Sequence, residues 1–185
     1  MSKLIPYNRQ AAVSYAHRWA FDRNPAFFDF SNLGGDCTNF ASQCLYAGTG
    51  VMNFTPELGW YYLDLDNRSP SWTGVPFFWD FMVRKELSDG PFGLNITPNF
   101  IRPGDIVQIR FKNSGEVFAH TPIVVSTGFP PQLDNILVAA HSNDADNRPL
   151  STYDDVEELR FLHILGAFLL SENREEAPKN NIGWD

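Results

Sequence analysis

A cysteine at the start of a predicted helix is the residue of this sequence that points most directly to chemistry. Cys37 follows Gly34 and Gly35 in the block GGDCTNFASQ, and the two glycines let the backbone approach a substrate closely. The free N–H groups and positive dipole end of a helix stabilise a thiolate and lower the pKa of the thiol. A thiolate is the nucleophile that attack on an amide needs. We therefore predict that Cys37 is a catalytic nucleophile rather than a small core residue.

A general base for this cysteine is predicted at the start of the run HTPIVV. His120 opens that run, and a histidine at the mouth of a strand can lie over the N-terminal end of a neighbouring helix. The unperturbed pKa of histidine, near 6.5, suits proton transfer at neutral pH. The alternative is a surface histidine at the end of a strand.

The third polar group of such a site stays open among three residues. The strand ILVAA is expected to run back antiparallel to the strand after His120, so the residues that follow it should lie near His120. A triad needs one acceptor there to fix the tautomer and orientation of the base. His141 continues the strand, Asp144 has the charge to hold an imidazolium, and Asn143 has an amide such as some cysteine proteases use. The structural alternative is an Asx-type turn that ends the strand.

The neighbours of Cys37 on its helix are predicted to have supporting roles. Asp36 is expected to cap the helix through its side chain. The oxyanion hole would then use the backbone N–H of Cys37 and one further donor, for which Asn39 and Gln43 are candidates. Cys44 lies two helical turns from Cys37, roughly 10 Å away, too far for a disulfide. It is interpreted as a core residue, and two free thiols suit a reducing compartment.

The hydrophobic pattern predicts helices first and strands later. Three segments have helical features: 8–21, 37–47 (with Gly48 as its stop) and 75–87. Four β-branched or alternating runs are predicted strands: 105–111, 121–125, 136–140 and 161–170. The aromatic segment between the second and third helices is expected to be a long structured loop with buried rings. Helices followed by an antiparallel sheet form an α+β arrangement.

Length and charge limit the organisation and the partners. The chain of 185 residues suits a single domain, which we place at 1–170, with a polar C-terminal tail at 171–185. A net charge of −8 argues against nucleic acid and anionic membranes as main partners, because both need a basic surface. The N-terminus lacks the apolar run of a secretory signal. The protein is thus expected to be cytoplasmic or to have lost a leader, and its oligomeric state is left open.

Several blocks of the sequence together resemble one known family. They are YNRQAAVSYAHRWA, NPAFFDFSNLGGDCTNFASQCLYAG, SPSWTG, HTPIVV, and AAHSND with PLSTY after it. With these blocks, which extend over about residues 6–166, the chain resembles the putative amidase domain family of mainly Gram-positive bacteria. It is similar, more distantly, to the NlpC-type and CHAP cell-wall peptidases, which share the Asp-Cys-Ser/Thr start of a catalytic helix.

The resemblance implies a papain-like fold, with N-terminal helices packed on a central antiparallel β-sheet, and a Cys37–His120 pair. In CHAP domains the third and fourth polar residues stand two apart at the end of the returning strand, a spacing that His141 and Asn143 match. NlpC-type enzymes often use a histidine as third member, which again suits His141. The implied function is a cysteine amidase or peptidase without a cofactor. Its substrate would be a peptide or a peptidoglycan stem-peptide bond, cleaved through an acyl-enzyme.

Two other interpretations use the same residues differently. His120, His141 and Asp144 could bind zinc, as two histidines and a carboxylate do in metal hydrolases, although no histidine pair has the i, i+4 spacing of helical zinc sites. Alternatively, the chain is a non-catalytic module that binds cell wall or protein through its aromatic loop, with a vestigial cysteine site.

Overall fold

The computed structural model describes residues 2–170, which form an α+β fold with one curled antiparallel sheet and a few helices. The α-helices of this range are α1 (Arg9–Trp19), α2 (Cys37–Thr49), α3 (Pro70–Thr73) and α4 (Val75–Met82), and the 3₁₀ helices are Pro98–Phe100 and Leu150–Thr152. The strands are β1 (Ser2–Pro6), β2 (Gly90–Ile96), β3 (Ile106–Phe111), β4 (Ile123–Thr127), β5 (Ile136–Ala140), β6 (Ala145–Pro149) and β7 (Val156–Leu170). The predicted tail, 171–185, lies outside the described residues.

The sheet is organised around the long last strand. Its order is β1-β7-β3-β4-β5-β6, and β2 also pairs with β7. Every pair of neighbouring strands is antiparallel. The 15 residues of β7 therefore carry three partners, with β1 and β3 on successive parts of one edge and β2 on the other. The predicted hairpin of β4 and β5 is confirmed, with Ile123 opposite Ala139.

The central strands are buried on both faces. Alternate residues of a strand point to opposite sides of a sheet, and in β3 Ile106 packs with the helices while Val107 packs into a second cluster on the other side. Both side chains are fully buried. The helices thus cover one face, which is the face where α2 meets the sheet.

The aromatic segment between α2 and α4 packs against α2 and helps to hold it. Trp60 and Trp72 are fully buried, as the composition predicts. The indole of Trp60 donates to Ser42 Oγ (3.1 Å), and the indole of Trp72 donates to Asn39 Oδ1 (2.9 Å). The helix that begins at Cys37 is therefore fixed on this side by hydrogen bonds as well as by packing.

Several predicted boundaries are wrong, and the end of α2 shows why. The helix continues through Gly48 and ends at Gly50, which has the left-handed φ of 65° and donates its N–H to the carbonyl of Tyr46. Gly48 instead lets α2 approach Tyr7, because a Cβ at that position would come within 2.3 Å of the tyrosine ring. A glycine needed for packing thus resembles, in sequence, a glycine needed for a helix end. Similarly, α4 ends at Met82, five residues before the predicted end.

Within residues 2–170, no helix is long and apolar enough to cross a membrane.

Candidate active site

The sulfur of Cys37 lies at the N-terminal end of α2 and is almost fully covered, since the residue is only 6% exposed. Backbone N–H groups of Thr121 and Thr38 donate hydrogen bonds to Sγ. The hydroxyls of these two threonines also contact each other, with 3.1 Å between their oxygen atoms. The start of α2 and the segment that leads into β4 are therefore joined beside the sulfur.

Burial dominates the pKa of the Cys37 thiol. It raises this pKa above the ordinary value, and the hydrogen bonds from Thr121 and Thr38 oppose the rise without reversing it. The expectation of a net lowering of the thiol pKa is therefore wrong: the N–H groups at the start of the helix do lower it, but the loss of hydration has the larger effect. At neutral pH Cys37 is a protonated thiol, and a base must remove its proton before the sulfur can act as a nucleophile.

His120 is connected to this thiol through the backbone, because Thr121, the following residue, is the one that donates to Sγ. The backbone of His120 is fixed to β3, since the N–H of Ile109 donates to its carbonyl at 3.0 Å. The side chain is buried, and burial together with the charge of Arg148 lowers the pKa of His120 to about 4. At pH 7 the ring is uncharged, so one of its nitrogens has a lone pair that can accept a proton.

We expect His120 to make the stability of the fold depend on pH. Its pKa is lower in the folded chain, about 4, than the roughly 6.5 of unfolded histidine. The unfolded state thus binds more protons in this window, and the free energy of unfolding falls as pH drops from 6.5 through 4. The loss contributed by this residue is roughly 3 kcal/mol. Denaturant titrations at pH 7 and pH 4 should show a smaller loss in His120→Gln, whereas equal losses would contradict the burial of a neutral ring.

A tyrosine without a predicted role contacts His120. The hydroxyl oxygen of Tyr153 lies 3.4 Å from Nε2 of His120. Burial raises the pKa of Tyr153 to about 12, against the opposing charge of Arg148, and the charge of Cys37 adds to the rise. Tyr153 thus stays neutral and is close to both members of the predicted pair. Tyr153 belongs to the block PLSTY, which contributes to the family resemblance. The spacing of residues in the sequence gives no reason to place the Tyr153 ring against His120.

His141 pairs with Asp36. Its Nδ1 lies 2.5 Å from Asp36 Oδ2, its Nε2 lies 2.8 Å from the carbonyl oxygen of Trp19, and its ring stacks on Phe40 with 3.9 Å between centroids. Both ring nitrogens are therefore occupied, and the side chain is buried. The Asp36–His141 pair ties the start of α2 to the end of β5 and to the end of α1.

Asp36 does not cap α2 through its side chain, in contrast to the prediction. Its Oδ1 instead accepts from the backbone N–H of Phe30 (2.9 Å) and from the amide of Asn39 (2.8 Å). Gln43, the other amide considered for the oxyanion hole, accepts from the hydroxyl of Tyr15 at 2.7 Å. Both amides are buried, and the NH2 group of Asn39 also donates to the carbonyl of Phe28 at 3.0 Å, so Asn39 is not a free donor for a substrate.

Asn143 and Asp144 lie at an open cleft beside the start of α2. The carboxylate of Asp144 accepts two hydrogen bonds from the guanidinium of Arg23, each 3.0 Å long. Asn143 has a φ of 79° and forms part of the turn after β5. The cleft has a volume of about 670 Å³ and is lined by Arg23, Ser31, Gly34, Gly35, Ser142, Asn143 and Asp144.

The structure thus links Cys37 to the segment that carries His120 through the backbone N–H of Thr121, and it pairs two of the three candidates for the third group, His141 and Asp144, with other residues. Among the hydrogen bonds of residues 2–170, none joins the side chains of His141, Asn143 or Asp144 to His120. Their catalytic role stays a prediction.

We expect Gly35→Ala to destabilise the turn that leads into α2. Gly35 has a φ of 112°, and an added Cβ would lie 3.1 Å from Ser142 Oγ. That hydroxyl accepts a hydrogen bond from the backbone N–H of Asp36 at 2.7 Å. Backbone strain of this kind costs about 1–3 kcal/mol. Gly34→Ala is the matched control, because Gly34 has a similar φ of 96° with no atom within 4 Å of the added Cβ. Denaturation should show the larger loss for Gly35→Ala, and equal losses would contradict a role for the contact with Ser142.

The side chains considered as zinc ligands have separate partners: Tyr153 for His120, Asp36 for His141 and Arg23 for Asp144. In the part of the chain that the structure describes, no group of three or more His, Cys, Asp or Glu residues could hold a metal ion.

Comparisons with known proteins agree with the resemblance to the putative amidase domain family. The family model described as a putative amidase domain matches residues 6–164. The uncharacterized protein YhbB of Bacillus subtilis (strain 168) is 35% identical over 129 residues, which are 67% of this chain and 39% of YhbB. No solved structure matches the chain. The family description points to an amidase-type hydrolase, which acts on C–N bonds. A match to the family model over this much of the sequence shows that the chain belongs to the putative amidase domain family.

Proposed function

We propose that this protein is a cysteine-dependent amide hydrolase of the papain-like type, with Cys37 as nucleophile and His120 as general base. One observation carries the proposal: a thiol at the start of a helix accepts a hydrogen bond from the N–H of Thr121, and the residue before Thr121 is His120, a buried imidazole that is neutral at pH 7. A helix that begins with the nucleophile and packs on an antiparallel sheet carrying the base also supports a papain-like arrangement.

The residues support a general-base mechanism. As Sγ of Cys37 attacks the amide carbon, His120 takes the thiol proton and the carbonyl electron pair moves to oxygen. The backbone N–H of Cys37 is the first candidate donor to that oxyanion. The imidazolium then gives its proton to the leaving nitrogen as the C–N bond breaks, which leaves a thioester on Cys37. Water, deprotonated by His120, hydrolyses the thioester and restores the thiol.

The lowered pKa of His120 predicts an unusual acid limb of the pH–rate profile. In this mechanism the reactive form has a neutral ring and a protonated thiol, so activity is lost on the acid side only when His120 is protonated, near pH 4. The pH dependence of kcat/KM reports the pKa values of the free enzyme. We expect kcat/KM to be nearly constant from about pH 5 to pH 8 and to fall with a midpoint near 4. A midpoint near 6.5 would contradict the description of the site.

The substrate proposed is a peptide, with a peptidoglycan stem-peptide bond as the first choice. The amidase description of the family supports an amide. Gly35, two residues before Cys37, lines the cleft beside the start of α2, and this cleft is where we place the peptide. The net charge of −8 supports such a substrate over nucleic acid or an anionic membrane surface.

The test compares a thiol reagent with a chelator on the hydrolysis of stem-peptide fragments. It uses a Cys44→Ala background, because both cysteines are free. Alkylation of Cys37 by iodoacetamide at about pH 8.5, where more of the thiol ionises, should abolish hydrolysis, and a chelator should have no effect. Hydrolysis that survives complete alkylation but not the chelator would reject the cysteine mechanism in favour of a metal.

The burial of Cys37 also favours a second candidate, a non-catalytic module that binds cell wall or protein. The Cys37 residue is 6% exposed and burial raises the pKa of its thiol. A buried, protonated cysteine of this kind is typical of an unreactive core residue, as expected for a vestigial site. In that case the same stem-peptide fragments would bind saturably and would not be cleaved by the wild-type protein at any pH.

A further inference from the structure

We propose that Tyr153 is a positioning residue that holds His120 in the tautomer able to take the proton of Cys37. The inference rests on the proposed function, since it names the group that prepares its base. Three observations carry it: the contact of the hydroxyl with Nε2, the burial of His120 with the partial burial of Tyr153, and the contacts that hold the Tyr153 ring.

The direction of the hydrogen bond between Tyr153 and Nε2 decides which nitrogen of His120 is free to act as a base. A neutral imidazole carries one proton, and a tyrosine hydroxyl can donate or accept. If Nε2–H donates to the oxygen of Tyr153, Nδ1 keeps its lone pair and can take the thiol proton. If the hydroxyl donates to Nε2, the ring proton lies on Nδ1, and neither nitrogen can act as a base. The 3.4 Å separation is long, as such contacts often are before substrate binds.

Arg148 and Thr152 hold the Tyr153 ring in place. The guanidinium of Arg148 lies over the ring, with Cζ 3.8 Å from its centroid. It donates from Nε to Thr152 Oγ1 (3.0 Å) and from Nη2 to the Thr152 carbonyl (2.8 Å). Thr152 ends a 3₁₀ helix whose first residue, Leu150, is buried in the second core cluster. The Tyr153 ring is therefore held between the guanidinium of Arg148 and the 3₁₀ helix that precedes it.

A phenol in this position differs from the carboxylate of other triads in two ways. It is uncharged, and it can either donate or accept the hydrogen bond to the imidazole. A carboxylate would favour a protonated ring and would force the Nε2–H tautomer because it only accepts. Neutral Tyr153 leaves the ring uncharged and orients it by hydrogen bonding alone. Tyr153 thus takes the orienting role for which His141, Asn143 and Asp144 are the candidates from sequence.

The tautomer can be measured without a substrate. In protein labelled with ¹⁵N-histidine, four residues give signals, and His120→Gln identifies those of His120. We expect a bare Nδ1 and a protonated Nε2 at pH 7 in the wild type, and a mixture of tautomers in Tyr153→Phe. Tyr61→Phe, at a half-buried tyrosine that contacts Phe54, should change nothing. A protonated Nδ1 in the wild type, or unchanged His120 signals in Tyr153→Phe, would overturn the proposal.

Kinetics on a stem-peptide probe separate this inference from the function it rests on. Tyr153→Phe should lower kcat roughly 10- to 100-fold, since an oriented base contributes about 10²–10⁴, with KM changed by less than about twofold. An unchanged kcat would also overturn the proposal. If Cys37→Ala retained activity while the tautomer result held, the cysteine mechanism would fail, and the hydrogen bond would remain as a structural contact.

Discussion

Cys37→Ala is expected to abolish hydrolysis of stem-peptide amides while the fold is retained. Without the sulfur no thioester can form, and removal of a catalytic nucleophile typically lowers kcat by roughly 10⁴-fold or more. The substitution removes one small atom from a nearly buried site, which costs on the order of 1 kcal/mol. Product formation followed by chromatography, with thermal unfolding of the same samples, measures both effects.

Cys44→Ala is the matched control, since Cys44 is a second free cysteine of the same helix. It is fully buried in the core on the helix side of the sheet, with Phe40 and Ile106, and burial raises its pKa well above the ordinary value. We expect a similar or larger loss of stability with hydrolysis unchanged. Retained activity in Cys37→Ala, or lost activity only in Cys44→Ala, would contradict the assignment of the nucleophile.

Asp36→Ala is expected to cause the largest loss of stability among substitutions near the site. The carboxylate accepts from Phe30, Asn39 and His141 in the protein interior, and its removal leaves these three donors without an acceptor. Each buried donor left without an acceptor costs about 1–3 kcal/mol. Because Asp36 precedes Cys37, the start of α2 should also lose its order, and activity should fall with stability.

Asp144→Ala provides the comparison for Asp36, because it also removes a carboxylate paired with a cation near the cleft. The side chains of Asp144 and Arg23 are about 30% exposed, and pairs of this kind contribute about 0–1 kcal/mol. Denaturant titrations of the two variants should therefore differ by several kcal/mol. Equal losses would show that the Asp36–His141 pair is not a buried anchor of the helix.

The elements next to the predicted nucleophile follow from local sequence. The diglycine turn and the apolar spacing after Cys37 indicate a helix start, and α2 begins at that residue. The run ILVAA is bounded by turn residues, and β5 has the predicted limits. Three strands were not predicted: β1, β2 and β6. Each lies at an edge or pairs off the main path, and β6 (ADNRP) has little β-propensity, so its conformation depends on pairing with β5.

The chemistry of the site is only partly readable from the sequence. Residue type and position indicate Cys37 and His120, because nucleophile and base are recognisable by kind. The contacts of His120 with Tyr153 and of Asp36 with His141 join residues 33 and 105 positions apart, and no local pattern reports them. The pKa values also depend on burial, which exists only in the folded chain. For this reason the predicted low pKa of Cys37 is wrong while its position is right.

The proposed mechanism requires an acyl group on Cys37 during turnover, and intact-protein mass spectrometry detects such a group directly. The Cys44→Ala protein is mixed with a peptidoglycan stem peptide and quenched in acid during turnover. We predict a mass increase equal to the acyl part of the substrate, mapped to Cys37 after digestion and absent from Cys37→Ala. Product formation at the full rate without any adduct, and undiminished in Cys37→Ala, would contradict the account.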